Sequence, residues 1–262
     1  MNLALNMNQA APSISTAELE IEIREIRKSY GETPILKGLN LEIPKGQAVA
    51  LIGSNGSGKS TLLRCTTRLI EPDSGEVILH GQNITKLTGA RLREARSKIG
   101  FVFQHHNLVP RLSVLSNVLH GALGRKPSAR LWFQSLATNL DREEAMYCLE
   151  RVGLAQFAAR RVTQLSGGQS QRVAIARALM QRPTIIMADE PVASLDPQAG
   201  EEVMNLFFQL SRSENLTLLF CTHHLEHAVD YADRVVGLSK GTIQLDQESS
   251  SISVAELRGI YD

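Results

Sequence analysis

The sequence predicts an α/β fold: a mixed α/β core, an antiparallel β portion near the N-terminal end, and a helical insertion in the middle. Three observations predict it. Val49-Ala50-Leu51-Ile52 is a short uninterrupted apolar run, and Ile185-Ile186-Met187-Ala188 and Leu216 to Phe220 are further buried-strand candidates. Such runs fit strands buried on both faces. Helical patterns alternate with them, as in an α/β core. Ahead of them Leu19, Ile21 and Ile23 alternate with Glu20, Glu22 and Arg24, and Leu39, Leu41 and Ile43 repeat the pattern. That period of two belongs to half-buried strands, here expected to pair antiparallel.

The elements follow in order. Residues 1–15, rich in Asn, Ala and Ser, read as a loose tail. Pro44-Lys45-Gly46 turns the chain after the second alternating run. A Gly-rich turn after Ile52 leads into a helix expected through Leu62, Leu63 and Leu69, stopped by Pro72-Asp73-Ser74-Gly75. Val77 to Leu79 and Ile99 to Phe103 read as strands. The stretch from His105 to Leu165 reads mainly as helix. Ser113 caps a segment through Val114, Leu115, Val118 and Leu119. Asp141 to Val152 opens on acidic residues and sets Met146, Leu149 and Val152 on one face. Gln171 to Met180 is helical behind Ser166, and a further helix lies between Gln198 and Arg212.

Composition narrows the function classes. Among 262 residues, 28 Lys and Arg face 27 Asp and Glu, a net charge of +1 that gives no global pull on nucleic acid. Arg172 and Arg177 therefore read as a solvated or ion-paired helix face. A hydrophobic share of 43% excludes disorder over most of the chain. The three Cys, Cys65, Cys148 and Cys221, are scattered outside any CxxC pair, which reads as reduced thiols of a cytosolic protein. No stretch approaches the roughly 18 apolar residues of a spanning helix. Residues 1–23 hold no Lys or Arg and no apolar block, so no secretory signal is expected.

Gly53-Ser54-Asn55-Gly56-Ser57-Gly58-Lys59-Ser60 carries the strongest chemistry. It fits G-x-x-x-x-G-K-[ST], the P-loop pattern, between an expected strand and helix. Glycines let successive N–H groups turn toward phosphate oxygens, and the helix start adds its dipole. Lys59 supplies a charge for the β and γ phosphates, and the Ser60 hydroxyl can ligate Mg²⁺. A second acidic element ends the run Ile185 to Ala188. Asp189 can hold Mg²⁺ and Glu190 can polarise a water, although a bare strand ending in two solvated acids would look the same. Leu165-Ser166-Gly167-Gly168-Gln169 offers bare N–H groups at a helix start. Alone it reads as an ordinary capped helix. His223 and His227 have the i, i+4 spacing of a helical metal pair, but the HExxH order is absent. His105 and His106 read as surface residues.

In this order, together with Ser194-Leu195-Asp196 and Thr222-His223, these elements resemble the ABC ATPase family over about Leu19 to Leu245. The resemblance implies a P-loop NTPase fold in one domain over residues 16–248, with a helical subdomain at about 105–170 and a separate C-terminal segment, 249–262. It implies ATP and Mg²⁺ as ligands. Tyr30 matches the aromatic that stacks on adenine. Residues Gly53 to Ser60 and Thr61 match the nucleotide-binding loop, and Ser166, Gly167, Gly168 and Gln169 match the signature that meets ATP from a second copy. Gln104 matches the residue that contacts Mg²⁺ and water. Ser60, Gln104 and Asp189 become the metal ligands. Glu190, His223 and Gln104 become the catalytic set, and Asp196 the dimer-contact loop.

Two copies are implied to bind head to tail around ATP, on the cytoplasmic face of the inner (plasma) membrane. Transmembrane permease subunits would contact the segment from His105 to Gly124, with a periplasmic or extracellular substrate-binding protein as an indirect partner and no nucleic acid. Asn107-Leu108-Val109, Arg111-Leu112-Ser113-Val114-Leu115, Asn117-Val118-Leu119 and Trp132 resemble the ATP-binding subunits of phosphonate and phosphite importers. Thr222-His223-His224-Leu225-Glu226 departs from that subfamily's usual sequence around the switch His. Importers of phosphate, polar amino acids or metal chelates, and a soluble non-transport ABC ATPase, stay open as alternatives.

Overall fold

A computed structural model describes residues 18–126 and 128–261. The tail expected at residues 1–15 lies outside them. Two sheets share the chain. The first is antiparallel, with β1 (Leu19–Tyr30) between β2 (Thr33–Pro44) and β4 (Ser74–Leu79), and the short β5 (Gln82–Asn83) at its edge. The second has the order β10-β9-β3-β8-β7-β6. In it β3 (Ala48–Ile52), β6 (Ile99–Val102), β7 (Ile185–Asp189), β8 (Thr217–Cys221) and β9 (Arg234–Ser239) run parallel, and β10 (Thr242–Glu248) closes the edge antiparallel.

The uninterrupted apolar runs are explained by two cores. Along β3, Ala48, Ala50 and Ile52 face one core, and Val49 and Leu51 face the other. β7 and β8 divide their side chains in the same way. One core lies toward the antiparallel sheet and holds Ile21, Ile23, Leu39 and Leu41. The other is covered by helices, with Val173, Ala176 and Phe207 at its centre. Both faces bury mostly apolar side chains, with Asp189 and Thr217 at the strand ends as exceptions, so alternation disappears in the central strands and survives in the flanking ones.

The helices are α1 (Lys59–Thr66), α2 (Gly89–Ser97), α3 (Val114–Leu119), α4 (Asn139–Arg151), α5 (Gly167–Leu179), α6 (Pro197–Ser213), α7 (Leu225–Tyr231) and α8 (Val254–Tyr261). Ser113 caps α3 by accepting from the Ser116 N–H, as its position predicts. Three expectations need correction. α1 stops at Thr66, so exposed Leu69 lies beyond it. α4 starts at Asn139, two residues before the expected Asp141, and Thr138 caps it by accepting from the Asp141 N–H. The middle of the chain, expected to be mainly helix, holds two α-helices broken by short 3-10 turns, at His120–Gly124 and Ala129–Trp132 between them and at Ala155–Phe157 and Val162–Gln164 after α4. At the C-terminal end Ile252 and Leu257 are buried in the helix-covered core, and Arg258 pairs with Glu226.

Candidate functional site

Parallel strands bring their C-terminal ends to one edge, where α/β proteins bind ligands. Here β3, β8 and β7 are neighbours, so three loops converge: Gly53 to Gly58 after β3, Thr222-His223 after β8, and Glu190 after β7. β6 adds Gln104, two residues past its end, partly buried.

The loop after β3 wraps tightly. Gly53 and Gly58 have φ of 151° and 110°. A Cβ at Gly53 would lie 2.3 Å from the Leu238 carbonyl oxygen, and one at Gly58 2.9 Å from Leu36. Both positions require glycine. Ser54, Asn55 and Gly56 are exposed at the rim, while Ser57 is buried with a hydroxyl that makes no hydrogen bond among the described residues. Lys59 begins α1 and is 5% exposed. Its Nζ donates to the carbonyl oxygens of Gly53 at 2.7 Å and Ser54 at 3.2 Å. Burial pulls its pKa down, opposed by the neighbouring Cys221, Glu190 and Asp189. A buried ammonium held by its own loop is a cation lacking a strong anionic partner, which an entering phosphate supplies. Thr61 follows, partly buried.

Ser60 Oγ donates to Asp189 Oδ1 at 2.7 Å, and Arg64 reaches Asp189 Oδ2 at 3.4 Å. Hydroxyl and carboxylate make the all-oxygen donor set that a hard cation such as Mg²⁺ takes. Arg64 was missed in the sequence, although its i+4 spacing from Ser60 on a helix places both on one face. Glu190 sits at φ 51°, a left-handed conformation costing about 1–3 kcal/mol for a residue with a side chain. Its carboxylate pairs with His223 Nε2. The chain thus presents Lys59, Ser60, Asp189, Glu190 and His223 around one cleft. Tyr30 is 49% exposed at the end of β1, with Lys28 Nζ 5.8 Å from its ring centroid. β2 carries the adjacent hairpin to the P-loop, since Ile35 and Leu36 abut Gly58.

Leu165 to Gln169 stands on its own exposed surface. Ser166 Oγ accepts from the Gln169 N–H at 3.2 Å, and Gln169 Oε1 accepts from the Ser166 N–H at 3.0 Å, a reciprocal capping box. Ser166 and Gly167 are exposed. A Cβ on Gly167 would lie 3.1 Å from Leu195, so the Ser194-Leu195-Asp196 loop packs on this helix start. Asp196 itself caps α6 through the Ala199 N–H at 3.0 Å.

Two readings of individual residues change, those of His106 and Arg177, while those of His227 and Arg172 hold. His227 is buried and pairs with Glu201 at 2.9 Å, while His223 pairs with Glu190, so the two rings serve different carboxylates. Among the described residues no three His, Cys, Asp or Glu side chains gather as a metal site. His106 is half-buried, not superficial, and burial lowers its pKa, helped by His105 and Arg177. Arg172 pairs with Glu202 at 2.8 Å. Arg177 is half-buried and makes no ion pair among the described residues: its guanidinium donates to the Asn107 and His106 carbonyl oxygens at 2.6 and 2.8 Å. It lines a cavity of about 340 Å³ with Phe101, Phe103, Asn107, His120 and Gln181. No helix of the described residues is long and apolar enough to cross a membrane.

Known proteins carry the same pattern. A family model described as "ABC transporter" matches residues 36–193. The chain is 46% identical to the "Phosphonates import ATP-binding protein PhnC" of Treponema denticola, over 89% of this chain and 91% of that protein. It is 44% identical to the "Phosphate-import ATP-binding protein PhnC" of Mycolicibacterium smegmatis, over 91% of this chain and 90% of the relative. Among solved structures, a dimeric post-hydrolysis state of the ATP-binding cassette MJ0796 bound to ADP and Pi superposes with a TM-score of 0.77 and 35% identity, over 88% of this chain and all of that one.

Proposed function

We propose that this chain, which belongs to the ABC transporter family, energises the import of a phosphonate or phosphite by hydrolysing ATP. The observation that carries the ATPase reading is the cleft itself: a buried Lys59 whose ammonium, among the described residues, hydrogen-bonds only to carbonyl oxygens of its own loop, beside Ser60 on Asp189 and Glu190 on His223. Each group has a distinct task. The N–H groups of Gly53 to Ser60, with Thr61, cradle phosphates, and Lys59 neutralises their charge. Tyr30 offers a flat face to adenine. Ser60, Asp189 and Gln104 would hold Mg²⁺, which when bound would offset charge on the phosphate oxygens. Glu190 orients and polarises the attacking water, and His223 keeps that carboxylate placed and reaches toward the γ-phosphate.

Half of such a site is missing from one copy, because Ser166 and Gly167 sit exposed, with Gly168 and Gln169 half-buried beside them, on a separate surface. We therefore infer a head-to-tail pair in which this helix start meets ATP held by the partner. A ligand shifts an equilibrium only by its differential affinity for the two states. ATP bridges the closed pair, and hydrolysis removes the bridge.

The solute is inferred from the permease-facing sequence and from the phosphonate name of relatives such as the Treponema denticola protein. The Mycolicibacterium smegmatis relative bears a phosphate-import name and supports phosphate as the second reading. The permease subunits would seat against the segment from His105 to Gly124 and the adjoining 340 Å³ cavity, holding the chain at the cytoplasmic face of the membrane. An external binding protein would deliver solute. The test is ATPase activity of the chain reconstituted with its neighbouring permease and binding protein, offered methylphosphonate, phosphite, phosphate or a polar amino acid. Stimulation by methylphosphonate or phosphite supports the first reading. Stimulation by phosphate alone supports the second, and stimulation by the amino acid alone rejects both.

A further inference from the structure

Arg177 occupies an unusual position for a cation. It lies on α5, ten residues beyond Gly167, or about 15 Å along the axis. The other signature-helix arginine, Arg172, finds Glu202. Arg177 finds only neutral oxygens: Nη1 donates to the Asn107 carbonyl at 2.6 Å and Nη2 to the His106 carbonyl at 2.8 Å. Burial depresses its pKa, and among the described residues no carboxylate compensates it. A guanidinium in that setting persists only where its hydrogen bonds are well formed.

The acceptors are equally specific. His106 and Asn107 are consecutive non-glycine residues with φ of 52° and 48°. They turn the chain two and three residues after Gln104, and the turn presents both carbonyls to one planar fork. A rigid guanidinium spans two such acceptors; a lysine ammonium is a point donor and does not fix both in the same way. The backbone of Arg177 is gripped as well. A Cβ on Gly121 would lie 2.1 Å from the Arg177 carbonyl oxygen, so the His120–Gly124 turn packs directly on α5 at this residue. Both ends of the segment from His105 to Gly124 therefore meet the helix at Arg177.

We propose that Arg177 is a positioning residue for hydrolysis: it clamps the turn after Gln104 to the helix that presents Ser166 and Gly167, so the two move as one body. The inference rests on the reading above, in which that segment meets the permease and Ser166 meets ATP. A push on the cavity wall is then delivered at once to Gln104 and, through α5, to the helix start facing the partner's nucleotide.

The readout is a ratio: the ATPase rate of the reconstituted complex with solute, divided by that of the detached chain. Arg177→Ala is expected to lower this ratio at least ten-fold relative to wild type, with ATP affinity of the detached chain within about two-fold. Arg177→Lys is expected to recover part of the ratio, because an ammonium still reaches one carbonyl. If Arg177→Ala does not fold, Arg177→Gln, with one donor group in place of the fork, is read the same way and is expected to fall likewise. An unchanged ratio in a folded variant overturns the proposal, whether both rates hold or both fall by one factor. A wild-type ratio of one instead overturns the importer reading beneath it, and is recognised without any variant.

Discussion

Ser166 allows a helix cap and a nucleotide contact to be separated by two substitutions. Its Oγ accepts the Gln169 N–H at 3.2 Å in an exposed capping box. Ser166→Ala deletes that acceptor, which costs about 0.5–1 kcal/mol, the lower half of the usual range, because water reaches the freed N–H. For a chain of this size the Tm falls by roughly 1–4 °C. Ser166→Asp caps as well as serine and places a negative charge at the positive end of α5, so stability is unchanged or slightly raised. Toward ATP the effect reverses. A carboxylate at about 4 Å from a phosphate charge, in an interface of effective dielectric near 20, costs about 4 kcal/mol, or roughly a thousand-fold per site. The assay combines each change with Glu190→Gln, which is expected to retain ATP and hold the pair closed. Light scattering after gel filtration with ATP and Mg²⁺ reports the dimer, and a thermal melt reports the fold. Ser166→Asp is expected to melt no earlier than its parent yet remain monomeric at concentrations where the parent is fully dimeric. Equal dimerisation of the two proteins would refute the placement of Ser166 against the partner's nucleotide.

Other substitutions address separate parts of the molecule. Lys59→Ala removes the buried ammonium and is expected to weaken ATP binding at least a hundred-fold by titration calorimetry while the fold persists; near-normal affinity would reject the P-loop assignment. Val109 is 43% exposed whereas Val114 is fully buried, so Val109→Asp is expected to lower solute-stimulated ATPase several-fold with the melt unchanged, and Val114→Ala to lower the melt itself. Thr138 and then Lys126 hold the Asp141 carboxyl below its ordinary range. A depressed carboxylate stabilises the fold above the unfolded pKa of about 3.9, and that contribution is lost as pH falls through the lower folded value. Asp141→Asn is therefore expected to cost about 1–2 kcal/mol in urea unfolding at pH 7, with the gap to wild type narrowing below about pH 4. Burial pushes the Cys65 and Cys148 thiols up to about 11 and Cys221 well above its usual value. The native chain is expected to leave all three unlabelled by a thiol reagent at pH 8 over minutes, and to yield three once denatured.

The sequence was most informative where a role depends on neighbours along the chain. The glycines of the P-loop, the apolar runs ending at Ile52 and Asp189, and the Ser113 and Ser166 caps are written locally, and the parallel sheet then gathers their loops at one edge. Two runs separated by more than a hundred residues, β3 and β8, became neighbours because each is apolar on both faces and each can be covered only at the centre of the sheet. Arg177 was misread for the opposite reason. Its partners are backbone carbonyls 70 and 71 residues away, and any residue type supplies a carbonyl, so no side-chain pattern announces the contact. The same holds for His106, whose burial follows from the turn it makes. The 3-10 turns of the middle segment escaped because an apolar periodicity reports burial, not whether the backbone closes i+3 or i+4 bonds.

The left-handed residues tie these points together. Glu190, His106 and Asn107 each adopt a conformation disfavoured by about 1–3 kcal/mol. Each is held by a contact from a different element: Glu190 by His223 after β8, and the His106–Asn107 turn by Arg177 on α5. Strain held by remote contacts is released when those contacts part. A loose loop would absorb a displacement of the segment proposed to face the permease and pass on little. A strained turn fastened to a helix moves with it or lets go, and these alternatives place Gln104 differently. Close packing around Gly121 favours the first, since α5 and the His120–Gly124 turn leave no room to slide. The chain thus sets left-handed residues just after both β6 and β7, where Gln104 and Glu190 would face the same water, and secures both from outside the cleft.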